Sequence, residues 1–243
     1  MLRHLINFIY PPRCAACENR LPLEGRARVC AACLASVERL REPLCAACGV
    51  PIEVSDDQVQ PGWCRDCTAS PPHFTAARAV ARYRSSEEDR AALPSIIRRH
   101  KYGRDQSLAR ALIEFIGEPL PLAENDYDVV IPVPLHVARL RWRGFNQAAL
   151  IAATVARRLG RPLDVRSLIR PRATSPQTAQ DRAARHRNVR DAFAVRRPAR
   201  VANRRVLLID DVLTTGSTVD ECARTLLAAG ARRVDVLALA RVL

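Results

Sequence analysis

The sequence predicts an α/β protein, a mostly parallel sheet flanked by helices and preceded by a small zinc-ribbon domain. Two observations predict it. Eight cysteines fall in four C-x-x-C pairs ahead of residue 68, and from about residue 76 short apolar runs alternate with helical stretches. The boundary is expected between residues 1–75 and 76–243. A chain of 243 residues holds one ordinary domain plus a small second one, and 48% hydrophobic content is enough to bury a core.

The first ten residues place Leu2, Leu5, Ile6 and Ile9 on one helical face and stop at Pro11-Pro12. That is too short for a secretory signal and suits a short packing helix, so the cytoplasm is the expected compartment. No apolar run approaches the roughly eighteen residues of a membrane span, so no membrane insertion is expected.

The cysteine pairs are Cys14/Cys17, Cys30/Cys33, Cys45/Cys48 and Cys64/Cys67, with gaps of 12, 11 and 15 residues. Two cysteines separated by two residues put both sulfurs on one tetrahedral ion, and two such knuckles complete a four-thiolate site. Four knuckles therefore make two structural zinc sites, with no coordination position left for catalysis. Gly49 after Cys48 suits a knuckle that needs a left-handed residue. A redox motif would be a single C-x-x-C, and a disulfide framework would need an oxidising compartment. Sequential and cross-braced pairing of the knuckles both fit the spacing. Cys222 stands alone in a helical stretch and is expected as a buried thiol.

Formal net charge is +14, and Lys101 is the only lysine. Two Zn²⁺ on eight thiolates would leave about +10. The excess is uneven, because residues 136–205 carry 18 Arg against three acids, Asp164, Asp181 and Asp191. Such a segment suits a polyanion, either a pyrophosphate-bearing small molecule or a nucleic-acid backbone.

Expected strands are Ala79–Tyr83, Val129–Val133, Val165–Ile169, Val206–Ile209 and Val234–Ala240. Expected helices are 87–100, 106–117, 146–159 and 217–229, the third capped by Asn146 and ended by Gly160, the fourth bracketed by Ser217 and Gly230. In a parallel sheet ligands bind beyond the carboxyl ends of the strands, and that is where the polar motifs fall.

The most informative stretch runs from Val206 to Thr218, V-L-L-I-D-D-V-L-T-T-G-S-T. A buried strand ends in Asp210 and Asp211, and a hydroxyl- and glycine-bearing loop opens a helix. Amides at that helix start, with Thr214, Thr215, Gly216, Ser217 and Thr218, suit a phosphate. The two carboxylates suit vicinal ribose hydroxyls. The stretch resembles the phosphoribosyl-pyrophosphate motif of type I phosphoribosyltransferases. That resemblance implies that Asp210 and Asp211 hold the 2′- and 3′-hydroxyls and Thr214–Thr218 the 5′-phosphate.

Val129–Pro134, followed by Arg139, Arg141, Arg143 and Gly144, has the character of a pyrophosphate loop. Residues 171–191, with Arg172, Thr174, Gln177, Gln180, Arg182, Arg185 and Asn188, have the character of an Arg-rich lid. The four knuckles, R-G-F-N-Q at Arg143–Gln147, the Arg172–Gln177 and Arg185–Val189 runs, Lys101-Tyr102-Gly103 and the final motif together resemble the ComF family. This resemblance implies a phosphoribosyltransferase-like protein linked to uptake of transforming DNA, with the acceptor undefined. As an enzyme it would bind phosphoribosyl pyrophosphate with Mg²⁺, using Arg143, Arg172 and Lys101 against the departing pyrophosphate, although Lys101 equally suits a plain surface role. As a non-catalytic binding protein it would hold single-stranded DNA on the basic segment and the zinc knuckles, with Trp142, Phe145 and Tyr102 among the basic residues, phosphoribosyl pyrophosphate as the controlling ligand and the DNA-uptake machinery as a partner.

Overall fold

A computed structural model describes residues 11–23, 27–53, 62–83, 92–102, 108–117, 120–122, 126–174 and 187–243. The proposed helix at 1–10, and Gln177, Gln180, Arg182 and Arg185 of the proposed lid, lie outside the described residues.

Four strands form one parallel sheet in the order β1 (Ala76–Tyr83), β6 (Arg233–Val242), β5 (Arg205–Leu213), β2 (Val129–Pro132). β5 alternates between two cores. Leu207 and Ile209 pack with Ile96, Leu112 and Val155, which come from α3 (Ala92–Tyr102), α4 (Leu108–Glu114) and α6 (Gln147–Leu159). Val206 and Leu208 pack with Val219, Cys222 and Leu226 of α7 (Ser217–Ala228). Both faces are thus covered, which explains the unbroken apolar runs of the inner strands. Cys222 is fully buried, as expected.

Local chemistry sets the helix ends. The Asn146 side chain accepts the Ala148 N–H at 3.1 Å and donates to the Val133 carbonyl at 3.0 Å, tying α6 to the loop after β2. Gly160 closes α6 in the left-handed region. α7 starts at Ser217, as expected, with Gly216 as its N-cap at φ +80° and the Thr215 hydroxyl accepting the Ser217 N–H.

The expected strand at Val165–Ile169 shortens to β3 (Leu168–Ile169), paired antiparallel with β4 (Ala194–Val195) away from the main sheet. Asp164 causes this. Its carboxylate accepts the Arg166 and Ser167 N–H groups at 2.9 and 3.0 Å, folding the chain into a turn where a strand would have run. Leu163 alone keeps a parallel bridge to Val130.

The cysteine module is a structural repeat. In each half a knuckle is crossed by a one-residue bridge, Arg13 with Arg20 and Leu44 with Pro51. The second knuckle of each half opens a short helix, α1 (Ala31–Ala35) after Cys30 and α2 (Arg65–Ala69) after Cys64, and these two cysteines have near-identical backbone angles. The module is docked on the sheet. Ala77 N–H donates to the Ala47 carbonyl at 2.6 Å, Arg82 N–H to the Glu38 carbonyl at 2.8 Å, and Arg39 bridges Ala81. The outer edge of β1 is thereby covered, which blunts an edge strand. Cys14, Leu21 and Val29 join the α3–α4 core, so metal is not all that this segment folds around.

Among the described residues no helix is long and apolar enough to cross a membrane.

Candidate functional site

The two ends of the sheet differ chemically. At the amino ends acids and arginines are paired. Asp128 accepts Arg205 N–H at 2.7 Å and its Nε and Nη2 at 3.2 and 3.1 Å, which holds the Asp128 carboxyl down at about 2. Fully buried Asp235 accepts the Tyr127 hydroxyl and pairs with Arg233. That end is a structural clasp.

The carboxyl end is a step. β2 pairing stops at Pro132 with Ile209, while β5 continues beside β6 through Asp210–Ala238 to Leu213–Arg241. The strand therefore runs past Ile209, where it was expected to end, and carries Asp210 and Asp211 along its exposed side, half-buried. Strand alternation sends them to opposite faces, Asp210 with Val206 and Leu208 towards α7, Asp211 with Leu207 and Ile209. Asp210 also accepts the Asp211 N–H at 2.9 Å.

Three residues beyond the strand, Gly216 turns the chain into α7. The Thr215 and Ser217 hydroxyls lie 2.7 Å apart. Nothing lies within 4 Å of the position a Gly216 Cβ would take, so the left-handed angle alone requires glycine there. A twelve-residue helix thus opens six residues after Asp211, and the N–H groups of its first turn carry the positive end of its dipole.

Across the step, α5 (Val137–Arg143) follows the β2 loop and buries none of its residues. The Arg143 Nη1 donates to Gln147 Oε1 at 2.8 Å, and Gln147 is itself buried. Arg172 donates to the Asn188 carbonyl at 3.0 Å and to the Arg190 carbonyl, so it clamps the two ends of the proposed lid together. Lys101 falls within α3, and its side chain lies outside the described residues.

Arg139, expected in the pyrophosphate loop, and Arg170, which no sequence motif includes, face a cavity of about 290 Å³ between α5 and residues 170–174. Arg139 and Trp142 line it on the helix side, Arg170 and Thr174 opposite. Arg170 lies over the Phe193 ring at 5.2 Å and donates to the Thr174 hydroxyl. Burial draws its guanidinium below the ordinary range and Arg139 pushes the same way, while Cys222 and Asp210 oppose. Arg170 therefore lines the cavity and lies in the field of Asp210. No local spacing marks it, since its partners come from α5 and from Phe193.

The cysteines form two sets, Cys14/Cys17/Cys30/Cys33 and Cys45/Cys48/Cys64/Cys67, with the sulfurs of each set within 4.8 Å of one another. The pairing is sequential. Cys17 and Cys30 sulfurs are 3.7 Å apart, as are Cys48 and Cys64. Tetrahedral zinc with Zn–S of about 2.3 Å has a sulfur–sulfur edge of about 3.8 Å, so both sets fit that ion. Burial pushes the Cys14 and Cys45 thiols up, but backbone N–H donors outweigh it and bring them down to about 6 and about 7. Burial and neighbouring sulfurs push Cys33 and Cys67 strongly up, a repulsion that a bound cation reverses.

A double zinc ribbon domain family model matches residues 5–68, and a phosphoribosyl transferase domain model matches residues 146–242. Over 244 residues the chain is 33% identical to the DNA utilization protein YhgH of Escherichia coli (strain K12), covering 96% of this chain and 98% of that one. It is 29% identical to Competence protein F of Haemophilus influenzae, covering 94% and 96%. It is 25% identical to Competence protein ComFC of Bacillus subtilis, covering 84% and 79%. Whole-length identity of this kind, together with a doubled cysteine ribbon docked on a parallel sheet, places the chain in the ComF family of competence-associated proteins, a double zinc ribbon followed by a phosphoribosyltransferase-like domain.

Proposed function

We propose that the chain binds phosphoribosyl pyrophosphate and transfers its phosphoribosyl group to a nitrogen of a base-like acceptor. The observation that supports this best is the continuous β5–loop–α7 connection, which sets two acids and a helix N-terminus within one turn of chain. Because β2 ends at Pro132, opposite Ile209, no β2 residue pairs with β5 beyond that point, which leaves its edge for a ligand. A ribose lying along that edge meets Asp210 from one face and Asp211 from the other, one acceptor for each vicinal hydroxyl. Its 5′-phosphate then reaches Thr214, Thr215, Gly216, Ser217 and Thr218 at the start of α7, where backbone amides and the dipole favour an anion.

The loop after β2 receives the pyrophosphate, with Arg143 and Arg172 beside it, oriented by Gln147 and by two carbonyls, and Lys101 as a third cation. In the transfer the C1–O bond breaks and pyrophosphate leaves with the electron pair. The acceptor nitrogen forms the new bond to C1 and releases its proton to solvent. Fixed guanidiniums facing the leaving group stabilise its charge as it develops. The carboxylate oxygens of Asp210 and Asp211 suit Mg²⁺, which when bound with the substrate neutralises pyrophosphate charge.

Calorimetry of the zinc-loaded chain with phosphoribosyl pyrophosphate and Mg²⁺ tests this. Saturable binding is expected, with loss of it in Asp210→Asn and Asp211→Asn at unchanged zinc content. Undiminished binding in both variants would refute the site.

A second reading has its own observation. Val137, Leu140 and Trp142 are exposed on α5 among Arg139 and Arg141, an apolar and basic surface that suits single-stranded DNA. The names of the relatives, DNA utilization and competence, agree with such a role beside a DNA-uptake machinery. Fluorescence anisotropy with a labelled single strand is expected to show binding that weakens steeply with salt. No binding at low salt removes this reading.

A further inference from the structure

The cavity beside α5 defines a ligand by three properties. The first is charge. Arg139 and Arg170 both line it, and among the described residues no carboxylate does. Two guanidiniums directed at one space repel each other unless an anion lies between them. The second is shape. Trp142 forms one wall while remaining half exposed, and the Arg170 plane is set by Phe193. A half-exposed indole wall suits a flat ring stacked against it. The third is hydrogen bonding. Arg139 and Arg170 only donate. The His136 Nδ1 accepts the Ala138 N–H at 3.2 Å, so the neutral ring carries its proton on Nε2 and donates from there. Arg170 Nε is buried with no partner among the described residues. Such a lining asks for a ligand rich in acceptors.

Size narrows the class. Pockets for drug-sized ligands begin at about 300 Å³, so a cavity of about 290 Å³ suits one small ring system rather than a dinucleotide. Location supplies the role, since Arg170 lies over Phe193, which belongs to the same core cluster as Leu208 of β5 and Val219 of α7.

We propose that this cavity is the acceptor subsite and takes a planar heteroaromatic anion, stacked on Trp142 with its negative group between Arg139 and Arg170. The role of acceptor rests on the phosphoribosyl-transfer reading; the ligand class rests on the cavity alone. Transfer to a ring nitrogen of this ligand follows the bond changes given above, with pyrophosphate as the leaving group.

Tryptophan fluorescence of the zinc-loaded full chain is the test, with orotate as the heteroaromatic carboxylate, uridine monophosphate as the phosphate-bearing ring and uracil as the uncharged ring. Saturable quenching by an anionic ring is expected, and its loss in Trp142→Phe, where Trp63 remains. In Arg139→Gln affinity for the anion falls about tenfold, the loss of one charge-assisted hydrogen bond, and uracil binds the wild type about tenfold more weakly. Orotate and uridine monophosphate separate carboxylate from phosphate as the preferred group.

Phosphoribosyl pyrophosphate binding, followed by calorimetry, stays within about twofold in Trp142→Phe. Equal affinity for uracil and the anions overturns the ligand class, and so does quenching by a single-stranded oligonucleotide alone. Loss of phosphoribosyl pyrophosphate binding in Trp142→Phe assigns the cavity to that ligand and overturns the acceptor role. If the wild type binds phosphoribosyl pyrophosphate and no ring quenches, only the cavity assignment fails. If the rings quench and phosphoribosyl pyrophosphate does not bind, the transfer reading fails and takes the acceptor role with it.

Discussion

Gly49 offers the sharpest test of how the ribbon is held on the sheet. In the first knuckle of each half the residue after the second cysteine is left-handed, Glu18 at φ +62° and Gly49 at φ +73°. Glu18 shows that this turn tolerates a side chain. What differs at Gly49 is β1, because a Cβ there would lie 2.3 Å from the Ala77 carbonyl oxygen. Ordinary contact starts at 3.4 Å, so knuckle and strand must part by about 1 Å. That separation breaks the 2.6 Å bond from Ala77 N–H to the Ala47 carbonyl and strains the Arg78 bonds to the Cys45 and Ala46 carbonyls. The angle costs about 1–2 kcal/mol, and the lost bonds, one of them charge-assisted, add about 2 kcal/mol, so Gly49→Ala should destabilise by about 3–4 kcal/mol. Gly62→Ala is the control, with φ +79° and nothing within 4 Å of the new methyl group, and should cost about 1–2 kcal/mol. Urea unfolding of the zinc-loaded chain, followed by circular dichroism, measures both. Equal losses in the two variants would show that the close approach of β1 contributes nothing.

Two further outcomes follow from the same contacts. Elemental analysis should give two zinc ions per chain and one in Cys45→Ser, and chelation should promote aggregation as the β1 edge loses its cover; a metal-free chain of unchanged stability would contradict this. Asn146→Ala should cost about 1–2 kcal/mol through the lost cap and the lost bond to Val133, read as a lower urea midpoint, and a neutral result would remove Asn146 as the link between α6 and the β2 loop.

What was legible in the sequence was local. Cysteine spacing marked the eight ligands because a knuckle spans four residues, and the β5–loop–α7 motif was visible because its parts adjoin. Knuckle pairing was not legible, since sequential and cross-braced arrangements share one spacing. The internal repeat of the module has only a short trace in the sequence, P-x-C-A-A-C at Pro12–Cys17 and again at Pro43–Cys48. The true length of β5 was hidden because its last residues are ordered by β6 rather than by their own apolarity. Arg170 was hidden for a related reason. Its surroundings come from α5 and Phe193, segments far from it in sequence.

The arginine excess shows how a sequence-level charge argument changes once partners are visible. Among the described residues seven arginines donate to backbone carbonyls: Arg13 to Glu18, Arg39 to Phe115, Arg78 to Cys45 and Ala46, Arg99 to Ala15, Arg158 to Gly117, Arg172 to Asn188 and Arg241 to Cys48. These guanidiniums act as clamps between segments, a task their forked donors suit better than a single ammonium group. Arg161 and Arg205 are tied to acids at the amino end of the sheet. Arg139 and Arg170 are directed into the cavity, and Arg141 is exposed on α5 beside it. Specificity for an anion there must come from the placement of these residues, because a general excess of positive charge attracts every polyanion alike.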